Sequence, residues 1–221
     1  MAKIDLRLYK KEIRTQMRKI RREMPGDVVE QKNQAIYEKL ISMSQYRRAR
    51  AVVLYVSKEL EVDTRRLMEK AWADGKIVAA PRCVENTRLM NMHIIRSMDD
   101  LQEGAYGILE PKAELPILTE TNSAICIVPG FCNDYRGYRV GYGGGYYDRY
   151  LSGFRGAKIG VNYSDCVRPR LLGGRYDVPI DVLVTDRYIR RCSPVKYAAR
   201  PSSSKKSAPH KNSSKRSLGR R

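Results

Sequence analysis

The chain has 221 residues, of which 42% are hydrophobic, so it can bury one core without dividing into several domains. No stretch approaches the roughly 18 to 20 apolar residues that a membrane helix needs, and the charged N-terminus is unlike a signal peptide. We therefore expect a cytoplasmic protein with no membrane partner. The five cysteines are widely spaced and there are only two histidines, which argues against a disulfide framework and a zinc site.

The net charge of +19 is concentrated at the two ends of the chain. Residues 195–221 hold nine Lys or Arg and no acid, and residues 1–24 hold nine against three acids, which leaves only +4 for the residues between. From about Ser193 onward the chain is rich in Ser, Lys, Arg and Pro and has few apolar residues. This composition predicts a disordered basic tail over 193–221, after a single domain over 1–192.

Two amphipathic helices are predicted at the N-terminus. The apolar side of the first helix is formed by residues three or four apart: Ile13, Met17, Ile20 and Met24. Another side of the same helix is basic: Lys10, Arg14, Arg18 and Arg21. The helix ends at Pro25, and the second helix begins with a capping-box pattern of Asp27 and Glu30.

Strand and helix candidates alternate after these two helices. Residues 51–56 form a continuous apolar run, typical of a strand buried on both faces, and residues 64–72 are a helix candidate. The other strand candidates are residues 77–81, 89–95, 124–128, 157–163 and 182–185. This alternation predicts an α/β fold: a three-layer αβα sandwich around a mainly parallel sheet, with an N-terminal helical segment.

The densest group of candidate functional residues follows the strand candidate at 124–128, where residues 130–150 read GFCNDYRGYRVGYGGGYYDRY. Glycines let a backbone approach a ligand closely, and a helix that begins after them would direct free N–H groups at an anion. Arg139 and Arg149 flank the glycines, and Asp148 suits a hard cation bound to the same phosphates. The segment therefore predicts a phosphate site, although its spacing matches neither of the common nucleotide-loop motifs.

Two alternatives to a nucleotide site remain open. The interleaved Arg, Tyr and Gly residues are also typical of some RNA-binding segments, and the basic tail could contact nucleic acid. Related α/β folds also host sugar-phosphate isomerases and acyl-carrier transferases. A nucleic-acid-binding protein would spread basic and aromatic residues over one face, whereas here the segment joins two regular elements of a nearly balanced body.

The segment PGFCNDYRGYRVGYGGGYYDRYL resembles the signature of the 5-formyltetrahydrofolate cyclo-ligase family, also called 5,10-methenyltetrahydrofolate synthetases. Similar segments follow the family order along roughly residues 8 to 190: KKEIR, VVLYVSKELEVDT, APR with LMNM, GILEP and DVPIDVLVTD. The resemblance implies an ATP-dependent ligase that converts 5-formyltetrahydrofolate into 5,10-methenyltetrahydrofolate, ADP and phosphate, with Mg²⁺ as cofactor. Such a reaction depends on positioning and charge stabilisation, so it needs no histidine or cysteine base.

The resemblance also implies roles for individual residues, with ATP and a reduced folate as the partners of a monomer. Catalytic roles are implied for Arg139, Tyr146 and Asp148. Nucleotide contacts are implied for Lys10, Arg14, Arg139, Gly141, Gly143, Gly144, Gly145, Tyr146 and Tyr147. Folate contacts are implied for Val56, Glu61, Tyr142, Gly143, Gly144, Gly145 and Tyr146. The implied magnesium carboxylates are Asp148 and Asp181, although Asp181 could equally cap the strand that follows Pro179.

Two features depart from the family pattern. Asn133 stands where the family usually has an aromatic residue before the aspartate, which concerns the packing of the loop. The basic tail after residue 192 has no counterpart in the family pattern, and it could bind RNA or another protein.

Overall fold

A computed structural model describes residues 5–104 and 107–193 of the chain. From residue 194 onward the predicted basic tail lies outside the described residues, so its disorder and the domain boundary stay predictions. Among the described residues, no helix is both long enough and apolar enough to cross a membrane.

The described elements confirm the predicted alternation of helices and strands. The α-helices are α1 (Leu6–Glu23), α2 (Gly26–Ser42), α3 (Ser44–Arg48), α4 (Arg65–Ala73) and α5 (Tyr146–Gly153). The strands are β1 (Ala51–Val53), β2 (Ile77–Cys83), β3 (Met90–Ile95), β4 (Leu101–Glu103), β5 (Leu109–Pro111), β6 (Ala124–Val128), β7 (Cys132–Asp134), β8 (Arg139–Val140), β9 (Ala157–Val161), β10 (Val167–Arg168), β11 (Val182–Val184) and β12 (Ile189–Arg191). Short 3₁₀ turns occur at Met98–Asp100 and Ser164–Cys166.

Seven strands form the main sheet, in the order β12-β11-β9-β6-β1-β2-β3. The five central strands are parallel, and each edge strand, β3 and β12, is antiparallel to its neighbour. The prediction of a mainly parallel sheet is therefore confirmed. The predicted strand at 51–56 is longer than the paired one, because the ladder ends at Val53 while Leu54, Tyr55 and Val56 continue as a buried loop.

The two faces of the sheet bury separate cores, which confirms the three layers. Val52 of β1 belongs to the core beneath α2, α3 and α4, whereas Val53 belongs to the core beneath α5. This division follows from the strand period of two, which directs successive side chains to opposite faces. Because both faces are covered by helices, the two innermost strands, β1 and β6, are apolar at every position.

Helix α1 covers a second, three-stranded sheet with the order β10-β7-β8. Asp5 caps its N-terminus by accepting hydrogen bonds from the N–H groups of Arg7 and Leu8. On its inward side Ile13 and Met17 pack against this small sheet and the loop beyond it, in a third core cluster. The sequence predicted that Arg21 lies on the basic side of α1, but it lies on this buried side, so that prediction was wrong. Residues four apart share one side of a helix, and Arg21 is four residues after the buried Met17.

Candidate functional site

The candidate site lies at the carboxyl ends of the neighbouring parallel strands β1 and β6. From β1 the sheet continues to β2 on one side, and from β6 it continues to β9 on the other. The strand order therefore reverses direction between β1 and β6, and such switch points are where open α/β sheets bind ligands. The loop after β1 carries Glu61, and the chain after β6 leads to the glycines.

Residues 141–145 form a loop, here called the glycine loop, whose backbone needs glycine. Gly143 has φ 104° and Gly145 has φ 73°, in the left-handed region that side chains disfavour. A Cβ on Gly144 would lie 2.7 Å from the ring of Tyr146. Gly145 precedes α5, whose N-terminus has no side-chain cap. Helix α5 thus begins directly after the glycine loop without a side-chain cap, and the positive end of its dipole suits an anion.

Two predicted nucleotide contacts on α1 bond to distant parts of the chain, and that of Arg14 is with the glycine loop. Arg14 donates from Nε to the carbonyl oxygen of Gly141 at 2.7 Å. Burial, and to a lesser extent repulsion from Arg18, lowers the pKa of Arg14, but an arginine remains charged in proteins. Lys10 Nζ lies 2.6 Å from Asp177 Oδ2. In the sequence, Arg14 is 127 residues from its partner Gly141, and Lys10 is 167 residues from its partner Asp177. These contacts therefore arise only in the folded chain.

Arg139 and Asp148 form an ion pair between β8 and α5, with Nη2 and Oδ1 3.0 Å apart. Val178 joins this pair, because its carbonyl accepts from Arg139 Nη1 and its N–H donates to Asp148 Oδ1. The Arg139 side chain is only 4% exposed. In this geometry Arg139 orders Asp148 and the segment around Val178, and a phosphate would have to replace one of these acceptors to reach its guanidinium.

Glu61 and Tyr142 connect the loop after β1 to the glycine loop. The Tyr142 hydroxyl donates to Glu61 Oε1 at 2.6 Å, and the N–H of Lys58 donates to Glu61 Oε2 at 2.9 Å. The Tyr142 ring, half exposed, lies against Phe131 with a centroid distance of 4.7 Å. Burial, followed by the nearby Glu61 charge, raises the pKa of Tyr142, so the tyrosine stays a neutral donor. A carboxylate and an aromatic surface thus lie at one edge of the site.

The remaining predicted site residues lie in less direct positions. The Val56 side chain is buried in the core beneath α2. The Tyr147 ring packs on both main cores, and its buried hydroxyl has no hydrogen-bond partner among the described residues. The Tyr146 hydroxyl donates a hydrogen bond to the carbonyl oxygen of Thr87 at 3.3 Å. Asp181 pairs with Lys158, its Oδ2 lying 3.1 Å from Nζ, and no described contact joins it to Asp148.

Asp177 is a candidate residue that the sequence did not single out. Besides Lys10 it accepts a hydrogen bond from the N–H of Gly174 at 2.7 Å, and it directly precedes Val178, which contacts both members of the Arg139–Asp148 pair. It therefore lies closer to the predicted nucleotide contacts than Asp181 does. The sequence could not distinguish Asp177 from Asp181, because both belong to the family-like segment DVPIDVLVTD. Only the fold shows that they have different neighbours.

Buried polar residues explain the first departure from the family pattern. Asn133 is fully buried and accepts from Asn162 Nδ2 at 2.8 Å, while Asn162 Oδ1 accepts from Arg21 at 2.7 Å. The next residue, Asp134, is also fully buried and accepts from the backbone N–H groups of Arg136, Tyr138 and Leu171. Hydrogen bonds rather than aromatic packing therefore fix β7 beneath the site.

The donor set suits a magnesium ion bound mainly through phosphates. In the described part of the chain no three His, Cys, Asp or Glu side chains cluster as a protein-only metal site would require. Mg²⁺, however, is usually held by one or two carboxylates together with substrate phosphates. Asp148 in the first turn of α5 fits this role, since both of its described contacts use Oδ1. Cys132 is unsuited to chemistry here, because burial raises its pKa to about 12.

The fold and the site together define the class of protein. This is an α/β protein whose candidate site lies at the switch point of a mainly parallel sheet, on a glycine loop that leads into a helix. Residues 7–186 match the 5-formyltetrahydrofolate cyclo-ligase family, and the chain belongs to that family. The resemblance found in the sequence is thereby confirmed.

Individual relatives agree with this assignment. The 5-formyltetrahydrofolate cyclo-ligase of Haemophilus influenzae is 29% identical over 182 residues, which cover 79% of this chain and 97% of the relative. The enzyme of the same name from Escherichia coli is 31% identical over 145 residues, 62% of this chain and 78% of the relative. The solved structure of 5,10-methenyltetrahydrofolate synthetase from Aquifex aeolicus has a TM-score of 0.74 and 29% identity, covering 88% of this chain and 98% of that one.

Proposed function

We propose that this chain is an ATP-dependent ligase that converts 5-formyltetrahydrofolate into 5,10-methenyltetrahydrofolate with release of ADP and phosphate. The observation that carries the proposal is the hydrogen bond from the hydroxyl of Tyr142, in the glycine loop, to Oε1 of Glu61, with an O–O distance of 2.6 Å. This contact places a carboxylate suited to the donor-rich edge of a reduced pterin beside a loop suited to phosphates. Family membership supports the same pairing of substrates.

The nucleotide is assigned to the side of the site formed by α1, the glycine loop and α5. The N-terminus of α5 and the cations of Lys10 and Arg14 would neutralise its phosphates. Asp148 would hold Mg²⁺. A second carboxylate would come from Asp177, which contacts Lys10, or from Asp181, which the resemblance implies. The metal would supply positive charge to the transferred phosphoryl group.

The folate is assigned to the side formed by Glu61, Tyr142 and Tyr146. In the proposed reaction the formyl oxygen attacks the γ-phosphorus of ATP, and the bond to the leaving ADP breaks. The second folate nitrogen then attacks the activated formyl carbon, and phosphate departs with the former formyl oxygen and the proton that this nitrogen loses. The protein contributes by holding the two substrates in line and by stabilising the phosphoryl charge, which requires no histidine base.

The test is to mix the purified protein with 5-formyltetrahydrofolate and Mg-ATP and to follow the absorbance of the methenyl product. We expect product and ADP to appear in equal amounts, and neither to appear when ATP is omitted or the magnesium is chelated. Product formed without ATP, or ATP hydrolysed without product, would contradict the proposal.

An RNA-binding role for the Arg/Tyr/Gly segment is not favoured. Residues 131–134 and 137–140 are buried in the small sheet and its turn. Binding of single-stranded nucleic acid requires exposed aromatic and basic side chains along one surface.

A further inference from the structure

Arg21 is a buried cation with no role in the proposed reaction so far. It is 4% exposed. Its guanidinium donates to four oxygens that carry no formal charge. They are Leu60 O at 2.7 Å, Gly130 O at 2.5 Å, Asn162 Oδ1 at 2.7 Å and, at a longer 3.4 Å, Phe131 O. The rings of Phe131 and Tyr163 face it at 5.4 and 5.6 Å, and its Nε has no hydrogen-bond partner in the described part of the chain.

This burial costs free energy that an apolar residue at the same position would avoid. A charge removed from water is compensated well only by an opposite charge and a full set of hydrogen bonds. Arg21 makes no ion pair with a described carboxylate, and it continues the buried side of α1 marked by Ile13 and Met17. Stability alone therefore does not account for an arginine here, and its acceptors indicate what it does.

The backbone acceptors lie on the loop after β1, which carries Glu61, and on the chain between β6 and β7, which leads through β7 and β8 to the glycine loop; Asn162 follows β9. Leu60 directly precedes Glu61 on the loop after β1, and Gly130 lies just beyond β6, where the chain turns toward the small sheet and the glycine loop. Leu60 has φ 67°, a left-handed conformation that is uncommon for a bulky residue and persists only when its surroundings hold it. The Leu60 carbonyl oxygen is the atom that Arg21 holds.

We propose that Arg21 is a positioning residue that holds the Glu61 loop in register with the backbone that leads to the glycine loop. The inference rests on the proposed function and names the group that aligns its two substrates. One guanidinium links the Glu61 loop to the chain just beyond β6, and this link sets the separation between the folate side and the phosphate side. Because transfer requires the formyl oxygen and the γ-phosphorus to be aligned, a shift of about 1 Å can lower the rate on the order of 10²-fold.

The test compares Arg21→Lys with the matched control Arg22→Lys, since Arg22 is an exposed neighbour on α1. Lysine keeps the charge but lacks the planar fork that bridges two carbonyls. We expect Arg21→Lys to lower kcat per folded molecule by about tenfold to 10²-fold, with the KM for ATP within about threefold. Arg22→Lys should keep kcat within about twofold of the wild type.

A second variant reaches the same contact from the loop, in case Arg21→Lys does not fold. Leu60→Pro fixes φ near −65°, which turns the carbonyl away from Arg21 at a position outside the core. The same loss of kcat with little change in the KM for ATP is expected. If the wild type is active and both variants keep its kcat, this inference alone fails; if the wild type is inactive, the proposed function fails and this inference fails with it.

Discussion

Carboxylates with similar sequence surroundings have different neighbours in the fold, and this difference gives a test at the scale of single residues. Asp177 contacts Lys10, whereas Asp181 pairs with Lys158. We expect Asp177→Asn to raise the Mg²⁺ concentration needed for half-maximal rate by about tenfold or more, because one carboxylate near the phosphates is lost. Asp181→Asn should shift it less than about threefold. If a magnesium titration showed the larger shift for Asp181→Asn, Asp181 and not Asp177 would be the second magnesium ligand.

Glu61 provides a test of the folate side of the site. Its two carboxylate oxygens accept from the Tyr142 hydroxyl and the Lys58 N–H, so the side chain is held in place. We expect Glu61→Gln to raise the KM for 5-formyltetrahydrofolate by about tenfold to 10²-fold, the loss of one charged hydrogen bond. The KM for ATP should change less than about twofold. Steady-state kinetics measure both, with Glu59→Gln on the same loop as the control, and an equal rise in the two KM values would contradict this division.

At the scale of elements, the glycine loop depends on its backbone conformation. Gly143 has φ 104°, and a Cβ there would lie 2.9 Å from Arg14 Nη2, so Gly143→Ala would strain the loop and displace Arg14. We expect the KM for ATP to rise by about tenfold or more, since a strain of about 1–3 kcal/mol is imposed at the phosphates. Gly153→Ala, at the end of α5, meets nothing within 4 Å and should leave the KM unchanged. Equal KM values for the two variants would show that the loop tolerates a side chain.

Lys32 of α2 bonds to the turns that follow β9 and β11, lying 2.6 Å from Asp165 and 3.1 Å from Asp186. The hydrogen bond from Lys32 lowers the pKa of Asp165. Burial opposes the same shift in Asp186, but hydrogen bonds from Ser164 and Lys32 outweigh it and lower that pKa as well. Groups with a lowered folded-state pKa stabilise the protein above the unfolded pKa, near about 3.9, and lose that stabilisation as pH falls through the folded value.

We therefore expect Lys32→Met to lower the free energy of unfolding by about 1–3 kcal/mol at pH 7. The difference from the wild type should stay constant down to about pH 5 and shrink below about pH 4. Urea denaturation across this range measures it, with Lys11→Met, at an exposed position of α1, as the control. A difference that grew on acidification would contradict the sign derived from the two aspartates.

At the scale of the whole molecule, the basic tail and the enzyme body are expected to act separately. Residues 195–221 supply nine of the nineteen net charges and lie outside the described residues. We expect their deletion to leave cyclo-ligase activity within about twofold but to remove salt-sensitive retention on RNA or DNA, because Lys and Arg bind phosphates in a strongly salt-dependent way. Activity assays and retention at increasing salt test both parts. Loss of catalysis on truncation would mean that the tail contributes to the site.

The sequence by itself determined the features that depend on local pattern. Apolar runs and helical spacing predicted the central strands and α1, α2 and α4, and the family-like segment located the glycine loop. Short strands such as β7, β8 and β10 were not predicted, because two or three residues carry no readable period. Only the tertiary structure decided which side chains meet: Tyr142 with Glu61 across 81 residues, Lys10 with Asp177 across 167, and Arg21 with the carbonyls of two loops. Periodicity records which side of an element is buried, whereas these contacts depend on which strand ends become neighbours once the sheet has formed.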